Sequence, residues 1–355
     1  MRTLSLKELN RATLARQLLL GRHRVSVTKA IERTAGLQAQ WPPSPYLGLW
    51  SRVDGFRPDD LVRAIQRRQV VKATLMRTTL HLVTARDYLA YAGIYHAGRI
   101  RWVQRQLETL GEDAELADDG ERLAALAAEK PRSRPELLAL LGRPKLRIED
   151  RPWLWFGLSA HAGLVNGPES SDWRSHTAGG TFVPARTWLG ADAASGDAAY
   201  AHLVRSYLAA FGPALRADVA KWTGMARSGV DRGFAGLHLR RFHDELGRDL
   251  VDLPRAPLPP PETPAPARLL PRFDNLVLSH DDRRRVLADE HRAAVIQGGE
   301  VRATFLVDGF VAGTWSLNGG RVQLEPFAPL PRRVRREVED EAGLLEAFVR
   351  AAGKA

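Results

Sequence analysis

Two glutamines, Gln38 and Gln40, stand one residue apart in the stretch Ala35-Gly36-Leu37-Gln38-Ala39-Gln40-Trp41-Pro42-Pro43-Ser44-Pro45-Tyr46. An amide side chain donates and accepts hydrogen bonds at once. A pair of amides on one short segment can hold a water molecule or read the edge of a nucleobase. The prolines that follow remove backbone donors and push the chain into extended geometry. The segment therefore reads as a rigid helix end that presents two amides. The plainer alternative is two surface glutamines on a loop.

Other groups suited to chemistry are sparse. There is no P-loop, no G-x-S-x-G elbow, no HExxH pair and no dinucleotide fingerprint. The chain has no cysteine, which excludes disulfides, thiolate nucleophiles and zinc–cysteine sites. Its 10 histidines are scattered without metal-ligand spacing. His280-Asp281-Asp282-Arg283 carries possible ligands, but Arg283, Arg284 and Arg285 oppose a divalent cation. Neither a metal nor a cofactor is expected. Tyr88, Tyr91 and Tyr95 form a helical stripe, which reads as core, with base stacking as the alternative.

Charge gives these residues a context. The chain of 355 residues carries a net charge of +11. Residues 1–110 hold 19 Lys and Arg against 7 Asp and Glu, while the remainder is nearly balanced. Positive charge gathered around the glutamine pair is an electrostatic footprint for phosphate backbone. No apolar run reaches the length of a membrane span, and the first residues contain no secretory h-region. A cytoplasmic protein without membrane contact is expected.

The surrounding elements follow from periodicity. Residues 7–20 have helical spacing, and helices also start near Ser26 and Pro58. Val70–Met76 and Thr79–Val83 read as two strands, followed by a long helix from Arg86 to Leu110. Helices followed by a β-ribbon make a winged-helix pattern. Lys72, Arg77, Thr79 and His81 lie on its wing, where base or phosphate contacts are natural. The pattern recurs after Ser133, an N-cap with Glu136 at capping-box spacing. There a helix around Trp153–Ala162 leads into a hairpin over Leu164–Trp188 with a Gly179-Gly180 turn. Arg174 and His176 on that hairpin are further candidates for DNA contact. A third copy occupies Ala198–Leu253, with strands at Leu237–Arg241 and Asp249–Leu253. The proline-rich run Pro254–Pro266 reads as a stiff linker. Beyond it, strands at Thr304–Val307, Val311–Leu317 and Arg321–Pro326, with Asp308-Gly309 and Asn318-Gly319 turns, precede a helix over Leu330–Ala351. The predicted divisions are 1–110, 111–197 and 198–253 for the winged-helix units, 254–267 for the linker and 268–355 for a β-rich domain.

The chain resembles the bacterial winged-helix DNA glycosylases that unhook interstrand crosslinks, the azinomycin-resistance AlkZ-type family. The resemblance is carried by Gly36-Leu37-Gln38-Ala39-Gln40, Pro45-Tyr46, Arg77-Thr78-Thr79-Leu80-His81-Leu82-Val83, Leu269-Leu270-Pro271-Arg272-Phe273-Asp274-Asn275-Leu276 and His280-Asp281-Asp282-Arg283. It implies an α+β fold of tandem winged-helix units in a C shape, with a C-terminal β-rich domain. It also implies a glycosylase active in self-resistance on double-stranded DNA carrying alkylated or crosslinked guanine. No residue marks a Schiff-base lysine, with Lys72 the alternative, so a monofunctional hydrolase is expected. The family divides between Gln-x-Gln and Gln-x-Asp motifs, and Gln38 and Gln40 resemble the crosslink-unhooking branch. On this resemblance the two glutamines are the catalytic pair. Arg272, Asp274 and Arg283 are structural or DNA-contacting. Several winged units in one chain make a monomer the expectation. The alternative is a winged-helix transcription regulator without enzymatic activity, which would bind undamaged DNA and release no base.

Overall fold

Helix starts in this chain are set by small polar caps. Ser5 accepts from the Glu8 N–H at 3.2 Å while the Glu8 carboxylate accepts from Ser5 N–H, opening helix Leu6–Arg16. The same reciprocal box, Ser133 with Glu136, opens helix Arg134–Leu141. Helix 6–16 stops short of the Leu20 expected from periodicity. The fully buried Leu18 adopts φ 59°, which turns the chain out of the helix before Gly21.

The computed structural model describes residues 1–112, 116–143, 147–148, 150–171 and 180–353. Arg174, His176 and the Gly179 side of the expected turn lie outside these residues. The architecture is mixed, and its strands pair antiparallel except where Thr3–Leu4 runs parallel to Arg240–Asp244. That parallel pair and Asp249–Asp252 form a three-stranded sheet.

The wings expected of the first two units are one sheet. Its six strands run in the order Leu37–Gln38, Leu80–Thr84, Val70–Thr74, Leu164–Asn166, Thr181–Pro184, Arg132–Ser133. The join is Lys72 paired with Asn166. Local periodicity predicted both hairpins but carries no information on their lateral pairing. Helix Ala85–Thr109 leaves this sheet directly, capped by Thr84 on Asp87 N–H. Tyr88 and Tyr91 are buried in the core with Trp222 and Phe211, as the stripe implied.

The proline-rich stretch between residues 254 and 266 has no helix or strand, as its composition predicts, yet it is strapped to the first helix. Buried Arg11 donates to Thr263 O at 2.7 Å, and buried Arg16 donates to Pro257 O at 2.9 Å. Beyond it, Arg268–Leu270, Thr304–Val307, Phe310–Asn318 and Arg321–Pro326 form an antiparallel sheet. Asp308-Gly309 makes the first turn, as expected. The second uses Gly319-Gly320, because Asn318 still pairs with Arg321. Helix Arg332–Ala352 closes the chain.

Candidate active site

Gln38 sits on a two-residue strand, opposite His81 in the register. Ala39 N–H extends the ladder to Leu80 O at 2.7 Å. Residues two apart on an extended segment point to the same side. Gln38 and Gln40 therefore share a side, with Gln38 only 6 % exposed and Gln40 open to solvent. The pair is reached from its Gln40 end.

The segment is held by distant parts of the chain. Gly36 has φ 91°, and a Cβ there would lie 2.8 Å from Val83 Cγ1 and 3.0 Å from Leu82 O. Only glycine fits both the dihedral and the space. Asn275 Nδ2 donates to Gly36 O at 2.8 Å, and Ser44 Oγ donates to Arg272 O at 2.5 Å. Helix Ser44–Trp50, with Pro45 in its first turn, fixes the far end. Thus the block around Leu269–Leu276 clamps both sides of the glutamine segment.

Both amides have a defined orientation. Arg77 Nη2 donates to Gln38 Oε1 at 3.1 Å, and Leu80 N–H donates to Gln40 Oε1 at 3.3 Å. Arginine and a backbone N–H cannot accept, so the atom facing each must be the amide oxygen. Each oxygen keeps a second lone pair, and each NH2 group keeps its donors.

Arg77 is the anchor of this arrangement. It lies in the turn between the strands Val70–Thr74 and Leu80–Thr84, where Arg77 and Thr78 have φ 53° and 58°. Two successive non-glycine residues there, one β-branched, are strained. The Arg77 guanidinium also donates to Trp222 O and lies 5.9 Å from the Trp222 ring. Burial pushes its pKa down to about 10, and the nearby Arg283 guanidinium adds to the shift. One cation, Arg77, therefore lies directly beside Gln38. Arg283 itself donates to Val277 O at 3.1 Å.

The remaining candidates divide by location. His81, a candidate for base or phosphate contact with a structural histidine as the alternative, is fully buried on the Gln38 side of the sheet. Its Nδ1 donates to Thr79 O at 3.0 Å, leaving Nε2 without a partner among the described residues. Burial, reinforced by Arg77, pushes its pKa down to about 3, so the ring is neutral. Lys72 pairs with Leu82, not with His81, and so projects from the opposite face. Its ammonium donates to Ser170 O at 3.0 Å, and burial lowers its pKa to about 8. Lys72 does not join the glutamines. Thr79 is half-buried and donates to Met76 O at 3.1 Å.

Arg272 pairs with Glu300 and lies 5.6 Å from the Trp41 ring, next to Gln40. Asp274 is buried and takes both arms of Arg52 at 2.8 and 2.9 Å. Its position is structural. The residues 280–283 also form an internal network rather than a ligand set. His280 Nε2 donates to Phe211 O at 3.1 Å, and Asp282 accepts from Arg248 and Arg284. Among the described residues no group of His, Asp or Glu converges to hold a metal. None of their helices is long and apolar enough to cross a membrane. The sequence offered Asn275 only as a member of the 269–276 block, with no role, and did not point to Arg52. Arg52's only link to that block is its pairing with Asp274, which the sequence does not show.

A sequence model of the DNA glycosylase AlkZ-like family matches residues 31–348, a span that contains the glutamine pair and both clamps. The chain belongs to that family. Membership makes it a DNA glycosylase with DNA as its substrate. A comparison with curated protein sequences gives no match. Among solved structures, Streptomyces sahachiroi DNA glycosylase AlkZ is similar in fold, with a TM-score of 0.81 and 22 % identity. The alignment covers 98 % of this chain and 97 % of that one, so the likeness extends through the C-terminal sheet.

Proposed function

We propose that this glycosylase hydrolyses the N-glycosidic bond of N7-alkylguanine in double-stranded DNA, interstrand crosslinks included, with Gln38 and Gln40 positioning the water. The observation that carries the reading is the orientation of the amides. Both oxygens are fixed by donors, and each retains a lone pair. Accepting one hydrogen of the same water at each oxygen would leave the water's own lone pair aimed at the anomeric carbon. The gain is orientation rather than basicity. An amide does not take the proton, which passes to solvent.

Such weak assistance suits a cationic leaving group. N7-alkylguanine departs with the C1′–N9 bonding electrons and leaves neutral, while the sugar develops oxocarbenium character. Water then adds at C1′ to give an abasic site. Lys72, on the opposite face and bonded to Ser170 O, offers no amine for a Schiff base. This supports a monofunctional hydrolase. Arg77 beside Gln38 would oppose a cationic sugar unless neutralised, so a phosphate flanking the lesion is its natural partner. The tandem winged-helix reading, with the boundaries given above, supplies a concave face for a base tethered to the opposite strand. A monomer is sufficient for that. The test is incubation with duplex DNA carrying N7-methylguanine. Free base should appear and strands should break only after alkali. Sequence-specific binding to intact DNA with no released base would overturn the reading and favour a regulator.

A further inference from the structure

A second recess lies beside the glutamine pair. Arg77, the Gln38 anchor, also lines a cleft of about 530 Å³ between helix Ala85–Thr109 and the start of helix Arg227–Phe234. Its size is that of a small-ligand site. Tyr95, Arg99, Trp102, Tyr200 and Ser228 are among its lining residues.

Two independent features of this cleft await an anion. Arg99 is only 7 % exposed, and its Nε has no hydrogen-bond partner among the described residues. No carboxylate among them pairs with its guanidinium, and burial pushes its pKa down to about 10. A buried cation without a counter-charge is costly unless a ligand supplies one. The other feature is the helix start. Ala226 occupies the N-cap and offers no side-chain acceptor, while Gly229 and Val230 bond to Ala226 O. The earlier N–H groups of that helix, at Arg227 and Ser228, have no intrahelical acceptor. An uncapped helix start attracts an oxyanion. The rings supply the other half of a ligand site. Trp102 is 39 % exposed, and Tyr95 and Tyr200 line the same space. Flat rings beside a cation suit a nucleobase joined to a phosphate.

We propose that the cleft binds the phosphate of a nucleotide, with Arg99 and the start of helix Arg227–Phe234 holding the oxyanion and the aromatic side chains against the nucleoside. The nucleotide is either free or part of a DNA strand. The DNA source rests on the proposed glycosylase reading; the free source does not.

The test is calorimetric titration of the full chain with 5′-dGMP and with deoxyguanosine, without any lesion. The native protein should bind dGMP, with deoxyguanosine weaker by about tenfold or more, the scale of one charge-assisted hydrogen bond. Arg99→Met should lose dGMP binding by a similar factor. Ala226→Asp places a carboxylate at the helix start and should do the same while raising the melting temperature. Ala226→Asp thus decides the matter even if Arg99→Met fails to fold. Displacement of labelled duplex DNA by dGMP assigns the site to a strand phosphate; dGMP binding without displacement assigns it to a free nucleotide. The proposal is overturned if the native protein does not bind dGMP, if deoxyguanosine binds equally well, or if the Ala226→Asp variant binds dGMP unchanged. Base release is not measured in any arm, so a failed glycosylase assay leaves this result standing.

Discussion

At the scale of single residues, the candidate site is built from amides that do not titrate and from a histidine held neutral. His81 keeps its neutral ring down to about pH 3. The single-turnover excision rate should therefore be flat from about pH 6.5 to 7.5. A bell centred near neutrality would mean that an ionising base has been overlooked. The same depression has a stability consequence. His81 binds its proton in the unfolded chain below about pH 6.5 but not in the folded one, so stability declines as pH falls from there toward 3. Arg77 was legible as a basic wing residue, but its position as the holder of Gln38 was not. That position depends on a left-handed turn at Arg77 and Thr78, and neither residue type announces one. Arg77→Met should leave the fold intact and lower excision by about tenfold or more through loss of a charged hydrogen bond to the amide. A variant with native rate would show that Gln38 needs no anchor.

At the scale of elements, the glutamine strand depends on how tightly Gly36 fits under the strand Leu80–Thr84. Gly36→Ala combines a positive φ with a Cβ 3.0 Å from a backbone oxygen. It should cost about 1–3 kcal/mol, and the displaced Gln38 should slow excision beyond what the stability loss explains. Urea denaturation together with single-turnover kinetics on the folded fraction separates the two. Individual helices and hairpins were readable because capping boxes, helical spacing and Asp-Gly turns are local signals. The six-stranded sheet was not. Its central join, Lys72 with Asn166, links segments far apart in sequence, and nothing in either strand encodes the partner. That join also explains Lys72. The alternation of the strand turns its ammonium to the face opposite the glutamines, which the composition of the wing could not reveal.

At the scale of the whole molecule, buried arginine–aspartate pairs tie the parts together. Arg16 holds Asp252 at 2.7 and 2.9 Å, and Arg52 holds Asp274 at 2.8 and 2.9 Å, all without appreciable exposure. Arg52 further donates to Gln17 O and Gly48 O, each at 3.0 Å, so one guanidinium links the first helices to the C-terminal block. Asp274→Asn leaves that guanidinium short of its counter-charge. It should destabilise the chain by about 3–5 kcal/mol, read as a lower urea midpoint with an unchanged slope. A loss below about 1 kcal/mol would mean that the pair is solvated. Such pairs are invisible in sequence, where an arginine in a basic protein reads as surface charge. The asymmetry of charge, by contrast, was fully legible, because it is a property of composition and needs no contacts.

The most direct test of the account is single-turnover release of N7-methylguanine from duplex DNA by the native chain, Gln38→Ala and Gln40→Ala, each verified as folded by its melting curve. The water-positioning mechanism predicts a loss of about a hundredfold for each variant, with DNA affinity nearly unchanged, because orientation of the nucleophile acts on the chemical step. Release at the native rate by either variant would contradict the role assigned to the pair.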